Sequence, residues 1–378
     1  MEFSGVRGLL TRVDWLLVGA AVLLVGAGIL TMNSFETESN YFFRNQLVWL
    51  GLSLAVMFSL SFVDFRFLRR TSVVVMLFLL SVAVLLLVFV FGEVVLGAQS
   101  RFDVGLFAIQ PADPIKLVLI IVLAKYFSRR HIEIANIRHI LVSGFYAFIL
   151  FALVLVQPDF GSAIILGMIW FGMILVSGLS KKHLLAVILI GAVSFAGLWF
   201  FGFQEYQKQR IRTFLNPLTD LQGAGYNAYQ SMVAVGSGQV LGKGIGYGTQ
   251  SKLQFLPEYE TDFIFAAFAE EWGFVGVVLL FTLFGVVIWR VLMHAMHGAT
   301  NFEMLFGVGL ATLFMAHFVV HIGMNIGLLP VTGTTVPFLS YGGSHLITEF
   351  VGLGILLGMR RYSRTVHRED FGKEFLGA

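Results

Sequence analysis

Long apolar runs separated by short polar clusters dominate this chain. The stretches "WLLVGAAVLLVGAGIL", "SVVVMLFLLSVAVLLLVFVFG" and "HLLAVILIGAVSFAGLWFF" are continuous rather than alternating. Each suits a membrane crossing of about 20 residues. Continuity predicts helices, because the strands of a membrane barrel would alternate apolar and polar positions. Ten spans fit, near 14–32, 45–63, 72–91, 112–128, 139–156, 160–179, 183–201, 262–289, 303–326 and 338–358. The fold class is therefore an all-α polytopic membrane protein. Residues 1–378 form a single membrane domain, with one long structured extracytoplasmic loop at about 202–261 and a cytoplasmic tail at about 359–378.

Cations mark the sidedness. Arg7 and Arg12, then Arg66, Arg69 and Arg70, then Arg129, Arg130 and Arg138, then Lys181 and Lys182, Arg290, and the tail with Arg360, Arg361, Arg364 and Arg368 fall on alternate connections. The positive-inside rule places that side, with both termini, in the cytoplasm. The other side receives "NSFETESN", the loop "GEVVLGAQSRFDVG", a tight "QPDFG" turn and the long segment. In that segment "YQKQRIRTFL" alternates cations with apolar residues at helical spacing, as an interfacial helix does. The glycine-rich "YNAYQSMVAVGSGQVLGKGIGYGTQ" fits re-entrant backbone packed against protein.

Composition supports lipid as the solvent. Of 378 residues 57% are hydrophobic and only 12% charged, and mean hydropathy is +0.85. Soluble domains carry about twice that charge. With no cysteine, disulfides and thiolate metal sites are excluded. The first apolar run lacks a small-residue cleavage site and reads as a retained span. No GxxxxGK[ST] is present and the Gly-x-Gly pairs lack a strand-turn-helix setting, so no nucleotide is expected. No nucleic-acid partner is expected either.

The candidate chemistry gathers at the outer lip of the eighth span, in "LPEYETDFIFAAFAEEWGFVG". Thr261 is placed to cap the helix, with Asp262 in its first turn, where the dipole favours an anion. Lys116, Arg210, Arg212, Lys243 and Lys252 lie on the same outer side, which otherwise holds few cations. Outer cations beside a carboxylate suit a lipid-linked anion such as a pyrophosphate, or grip anionic headgroups. Asp113 and Lys116, three residues apart, share a helix face and form a pair expensive to bury without function. Glu270 and Glu271, deeper in the same apolar run as Asp262, are expected to organise or gate the bundle, at least one pointing inward. His317 and His321 have an i, i+4 spacing but no third ligand, and read as polar packing between helices. "HAMH" (294–297) reads as a solvated cytoplasmic loop, and the many phenylalanines as lipid-facing filler.

Four stretches carry a resemblance: "QPDFGSA", "YQKQRIRTFLNPLTDLQGAGYNAYQS", "GTQSKLQFLPEYETDFIFA" and "GMNIGLLPVTGTTVPFLSYGGS". Together they resemble the SEDS family (shape, elongation, division and sporulation) nearly end to end, closer in wording to its elongation branch, RodA, than to its division branch, FtsW. The resemblance implies a peptidoglycan glycosyltransferase that polymerises lipid II into glycan strands at the outer face of the inner membrane during cell elongation. It also implies a single-span class B penicillin-binding transpeptidase as partner. The family's essential aspartate falls on Asp262, and its Glu-x-x-Lys falls on Asp113 and Lys116, where this chain reads "QPADPIK". Arg101 stands where an aromatic often follows "GAQ", and His321, His345 and Glu349 also depart from the family wording.

Transfer of a sugar from a lipid-linked strand to an incoming lipid II hydroxyl needs a base and a stabilised pyrophosphate. Asp262 is the expected base, and Lys116, Asp113, Arg210, Lys243 and Arg101 are the expected pyrophosphate-binding set. Asp262 could instead hold a divalent cation, Mg or Mn, at the pyrophosphate. Cations and a helix start push a carboxyl pKa down, whereas burial pushes it up, and the sequence leaves both open. Two other readings compete: a lipid II flippase, which would place its charges near mid-bilayer, and a non-catalytic scaffold for a penicillin-binding protein.

Overall fold

The structure is a computed structural model that describes residues 13–35, 41–95, 98–103, 108–128, 137–216, 224–253 and 255–375, the side chains of 35, 93–95, 98, 99, 103, 206, 224, 251 and 362–375 excepted. Helices occupy the predicted stretches: α1 (Trp15–Phe35), α2 (Tyr41–Ser61), α3 (Thr71–Phe91), α4 (Ala112–Ser128), α5 (Ile137–Val156), α6 (Phe160–Val176) and α7 (Lys181–Gly197). The segment after α7 then forms α8 (Glu205–Leu215), α9 (Ala224–Ser237) and the single turn α10 (Thr249–Lys252). The chain ends with α11 (Ile264–Met296), α12 (Asn301–Asn325) and α13 (Gly343–Phe375). Among the described residues, seven helices are long and apolar enough to cross a membrane. In hydrocarbon a helix satisfies its own backbone, which is why these runs take that form.

α4 and α12 form the centre of the bundle and bury most of their side chains. α7 lies outside it and, among its described residues, buries none. Phenylalanines are core as well as filler: Phe127, Phe306, Phe314, Phe338 and Phe350 are fully buried. This corrects the expectation that they mainly face lipid.

Three further differences follow from local physics. The loop after α3 is not irregular but a small antiparallel sheet, order β1-β2-β3, of Glu93–Val95, Ala98–Asp103 and Ala108–Ile109. The molecule is thus not wholly helical; strands this short carry too few alternating positions to read. The last helix starts at Gly343 rather than 338 and runs on to Phe375, through the predicted tail. His294 is not solvated. It is buried in α11, and its Nε2 lies 2.6 Å from Asp14 Oδ2, which also accepts from Arg290 Nε at 2.8 Å. This cluster ties the start of α1 to α11.

α11 is broken in mid-course at Gly273, whose φ of 63° and ψ of −166° only glycine adopts readily. A break in a membrane helix strands backbone groups unless protein supplies partners. Here the 239–244 stretch does so. Phe274 N donates to Gln239 O (2.9 Å) and Val275 N to Val240 O (3.1 Å), while Lys243 N and Gly244 N donate to Glu270 O and Glu271 O, each at 3.0 Å. The glycine-rich region predicted to pack its backbone against protein therefore does so, as the filler of a helix break.

Candidate active site

Asp262 does not sit inside the helix. α11 begins at Ile264, and Phe263 is its cap with no side-chain hydrogen bond. Thr261 Oγ1 turns back to Glu258 Oε2 (3.2 Å), so the predicted threonine cap is not made. Asp262 occupies the preceding turn, half-buried, where intrahelical bonds cannot hold it.

Instead, three consecutive carbonyls are held from outside the helix. Glu260 O accepts from Tyr341 N (2.8 Å), Thr261 O from Ser340 Oγ (2.9 Å) and Asp262 O from Asn325 Nδ2 (3.0 Å). All three donors come from the end of α12 or the 326–342 loop that follows it. That loop is itself tied down from below. Nδ1 of His317 and His321 meet the carbonyls of Thr335 (3.1 Å) and Thr334 (2.7 Å), and Phe338 N donates to Glu349 Oε2 (3.0 Å). Gly333 closes over the carboxylate: a Cβ there would lie 3.4 Å from Asp262 Oδ2.

The electrostatics follow from that seat. Burial, aided by Glu258, pushes the Asp262 carboxyl up to about 7, while Arg210 and Arg101 oppose the shift and Glu260 adds to it. Of the opposed effects weighed from sequence, burial wins. The group titrates where a general base is most effective.

The predicted site residues separate into two sets. Arg101, exposed on β2, and Arg210, on α8, act on the charge of Asp262. Arg210 also lines a cavity of about 60 Å³ with Phe214 of α8, Ala228 and Met232 of α9, and Met324 and Leu329. Lys116 and Asp113 pair with each other at 3.0 Å, buried at the start of α4, and His345 Nδ1 approaches Asp113 at 3.5 Å. Lys243 donates to Glu270 at 2.7 Å and to Thr249 Oγ1 at 2.7 Å. Both deep glutamates face the re-entrant stretch: Glu270 also accepts from Thr249 N (2.9 Å), and Glu271 Oε1 accepts from Gly246 N (2.5 Å). Asn325, Ser340 and Glu349 complete the seat without having been singled out as site residues. Asn325 and Ser340 had signalled only through membership of the "GMNIGLLPVTGTTVPFLSYGGS" stretch, and Glu349, beyond it, only as a departure from the family wording.

Among the described residues no three His, Asp or Glu side chains converge as a metal site. A cation at Asp262 would thus have fewer than three such protein ligands, and substrate phosphates and water would complete its shell. Magnesium is commonly bound that way, so the donor set fits a substrate-borne ion.

Fold and site together define a multi-pass membrane protein with a half-buried carboxyl, subject to the charges of two arginines, at the end of a helix bundle. The family described as cell cycle protein, that of FtsW, RodA and SpoVE, matches residues 8–365, and the chain belongs to it. It is 36% identical over 363 residues to stage V sporulation protein E of Bacillus subtilis, covering 94% of this chain and 98% of that one. Peptidoglycan glycosyltransferase MrdB of Escherichia coli K12 is 35% identical over 292 residues, 77% of this chain and 79% of its own. Two solved structures share the fold. One, of a peptidoglycan synthase complex coordinating polymerisation and crosslinking, has a TM-score of 0.79 at 31% identity over 93% of this chain and 98% of that chain. Rod shape determining protein RodA of Thermus thermophilus gives 0.69 at 31% identity over 92% and 96%.

Proposed function

We propose that this chain is a peptidoglycan glycosyltransferase that polymerises lipid II at the outer face of the bacterial inner membrane during elongation. One observation carries the reading: a half-buried carboxyl, pushed up to about 7 by burial and opposed by the charges of Arg210 and Arg101, with Arg210 also lining a mostly apolar cavity. Such a place suits a substrate whose reacting sugar is tethered through pyrophosphate to a lipid. Asp262 takes the proton of the acceptor hydroxyl as its oxygen attacks the anomeric carbon of the lipid-linked strand. The bond from that carbon to the pyrophosphate oxygen breaks, and the electron pair leaves with the phosphate. Arg210 and Arg101 meet the charge that develops there. Lys116, with Asp113, and Lys243 remain candidates for the same anion, which would have to compete with Asp113 and Glu270 for them. In the alternative role, Asp262 would instead hold a divalent cation that neutralises the pyrophosphate leaving group.

The reading includes ten crossings with both termini cytoplasmic, so that α8, α9 and α10 lie outside, as the alternating cations favour. It also includes a single-span class B penicillin-binding protein as the crosslinking partner. Purified protein supplied with labelled lipid II tests it. Strand products that vanish in Asp262→Asn support the transferase. Translocation without product would make it a flippase, and neither a scaffold.

A further inference from the structure

The turn carrying Asp262 depends on a residue from another helix that makes hydrogen bonds through both its amide nitrogen and its amide oxygen. Asn325, the last residue of α12, is fully buried. Its Nδ2 donates to Asp262 O at 3.0 Å and to His321 O at 2.9 Å. Its Oδ1 accepts from Ala266 N at 3.3 Å and Ser231 Oγ at 3.2 Å, and Ser231 Oγ also reaches Asn325 O at 2.9 Å. A primary amide offers two donor hydrogens and an oxygen with two lone pairs; three of the four are taken by Asp262 O, His321 O and Ala266 N, and the last shares the single Ser231 hydroxyl proton with Asn325 O. The partners also fix the amide's orientation, because two of them are carbonyls that only accept and a third is an N–H that only donates.

This amide joins three parts of the site. Asp262 and Ala266 flank the first turn of α11. Ser231 lies on α9 beside Met232, which lines the cavity that Arg210 enters. Met324, next to Asn325 in sequence, lines the same cavity. We propose that Asn325 is a positioning residue for the transfer reaction, setting the Asp262 turn against the α9 wall of the cavity. The inference rests on the glycosyltransferase reading above and deepens it. Aspartate has the same shape but, ionised, no donor, so it would leave Asp262 O and His321 O without their hydrogen bonds. Alanine would sever the bonds of both amide atoms.

The experiment is steady-state polymerisation of labelled lipid II across pH 5.5–9, with thermal unfolding recorded for each variant. Asn325→Ala and Asn325→Asp are expected to lower kcat about tenfold or more with little change in KM, as small misplacements of a reacting group do. Asn325→Ala should also move the rising limb of the pH profile to lower pH, because water entering the loosened turn relieves the burial of Asp262. The other charges facing that carboxyl, Glu258, Glu260, Arg101 and Arg210, are left in place. Ser231→Ala, which cuts only the tie to α9, should give a smaller loss. If folded Asn325→Asp, or Ser231→Ala together with folded Asn325→Ala, retains parental kcat and pH profile while Asp262→Asn is inactive, the positioning role is wrong. A lower Tm with kcat untouched also overturns it. Parental activity in Asp262→Asn would instead remove the underlying reading.

Discussion

Lys243 Nζ lies 2.7 Å from Oε1 of Glu270, a carboxylate with no exposed side-chain surface beside the break in α11. The same oxygen accepts from Thr249 N at 2.9 Å. The glutamate therefore gathers the re-entrant stretch and the start of α10 onto the helix. Removing the lysine leaves a buried charge with neutral donors only. Lys243→Ala is expected to destabilise by about 3 kcal/mol, the lower end for a broken buried pair, because the remaining donors soften the loss. The double variant Lys243→Ala/Glu270→Gln should lose less than the sum of the singles. Thermal unfolding in detergent measures both, and strictly additive losses would show that the two side chains do not interact.

Gly273 makes the second prediction. A Cβ on this residue would approach Gly242 N to 2.2 Å and Leu241 C to 2.7 Å, on a backbone with φ of 63°. Neither neighbour is a flexible side-chain end. Gly273→Ala should cost about 2 kcal/mol or more, from strain and displacement of the re-entrant stretch. Gly285, further along the same helix, has nothing within 4 Å of its Cβ position. Gly285→Ala is the control and should be neutral or stabilising by about 0.5–1 kcal/mol. Equal melting temperatures for the two variants would contradict this account.

Much of this architecture is legible from hydropathy. The apolar runs locate the long helices because lipid forces each run to satisfy its own backbone. Asp113 and Lys116 pair as their spacing predicts, since i, i+3 neighbours meet on a helix whatever surrounds it. An acid at a helix start is ordinary, so Asp262 stands out only through the cations grouped with it and the family wording around it. Contacts between distant segments leave no such period. Nothing local links Ser231 to Asn325, 94 residues apart, or Asp14 to His294, 280 apart. Glu270 and Glu271 reveal that they are buried, but not that loop backbone supplies their partners. The seat of Asp262 was equally hidden, because the 326–342 loop is shaped by tertiary bonds rather than by a repeating pattern.

The third prediction concerns the opposite end of α11. Asp14 lies ahead of α1, and hydrogen bonds from His294 and Arg290 hold its carboxyl well below the usual range despite burial, which opposes them. A carboxyl depressed in the folded state contributes stability above its unfolded pKa and loses it as pH falls through its folded value. Asp14→Asn should therefore cost about 3 kcal/mol at pH 7. Most of that cost should persist at pH 4, where ordinary carboxylates are already half protonated. Unfolding of parent and variant at both pH values checks it. A difference that disappears between pH 6 and pH 4 would mean the carboxyl is not depressed.

Asp262 yields the opposite sign, and with it a test that separates chemistry from stability. Its carboxyl is pushed up to about 7, chiefly by burial, from a model-compound value of 3.8. A raised carboxyl favours the folded protein while protonated. That contribution is complete below the unfolded pKa and is lost as pH rises through the folded one. The parent should therefore lose stability between pH 5 and pH 8 in a way that Asp262→Asn does not. The variant's melting temperature should gain on the parent's across that interval. Polymerisation should run the other way, since a base works only when deprotonated: parental kcat/KM should rise with a midpoint near pH 7, and the asparagine variant should be inactive throughout. Asp262→Glu keeps the carboxyl but lengthens its reach by one methylene, so it should retain a rising limb at lower amplitude. Were the asparagine variant no more stable than the parent at pH 8, the carboxyl could not be carrying the burial cost assigned to it. A pH-independent parental rate would remove Asp262 as the base, even if its substitution abolished activity.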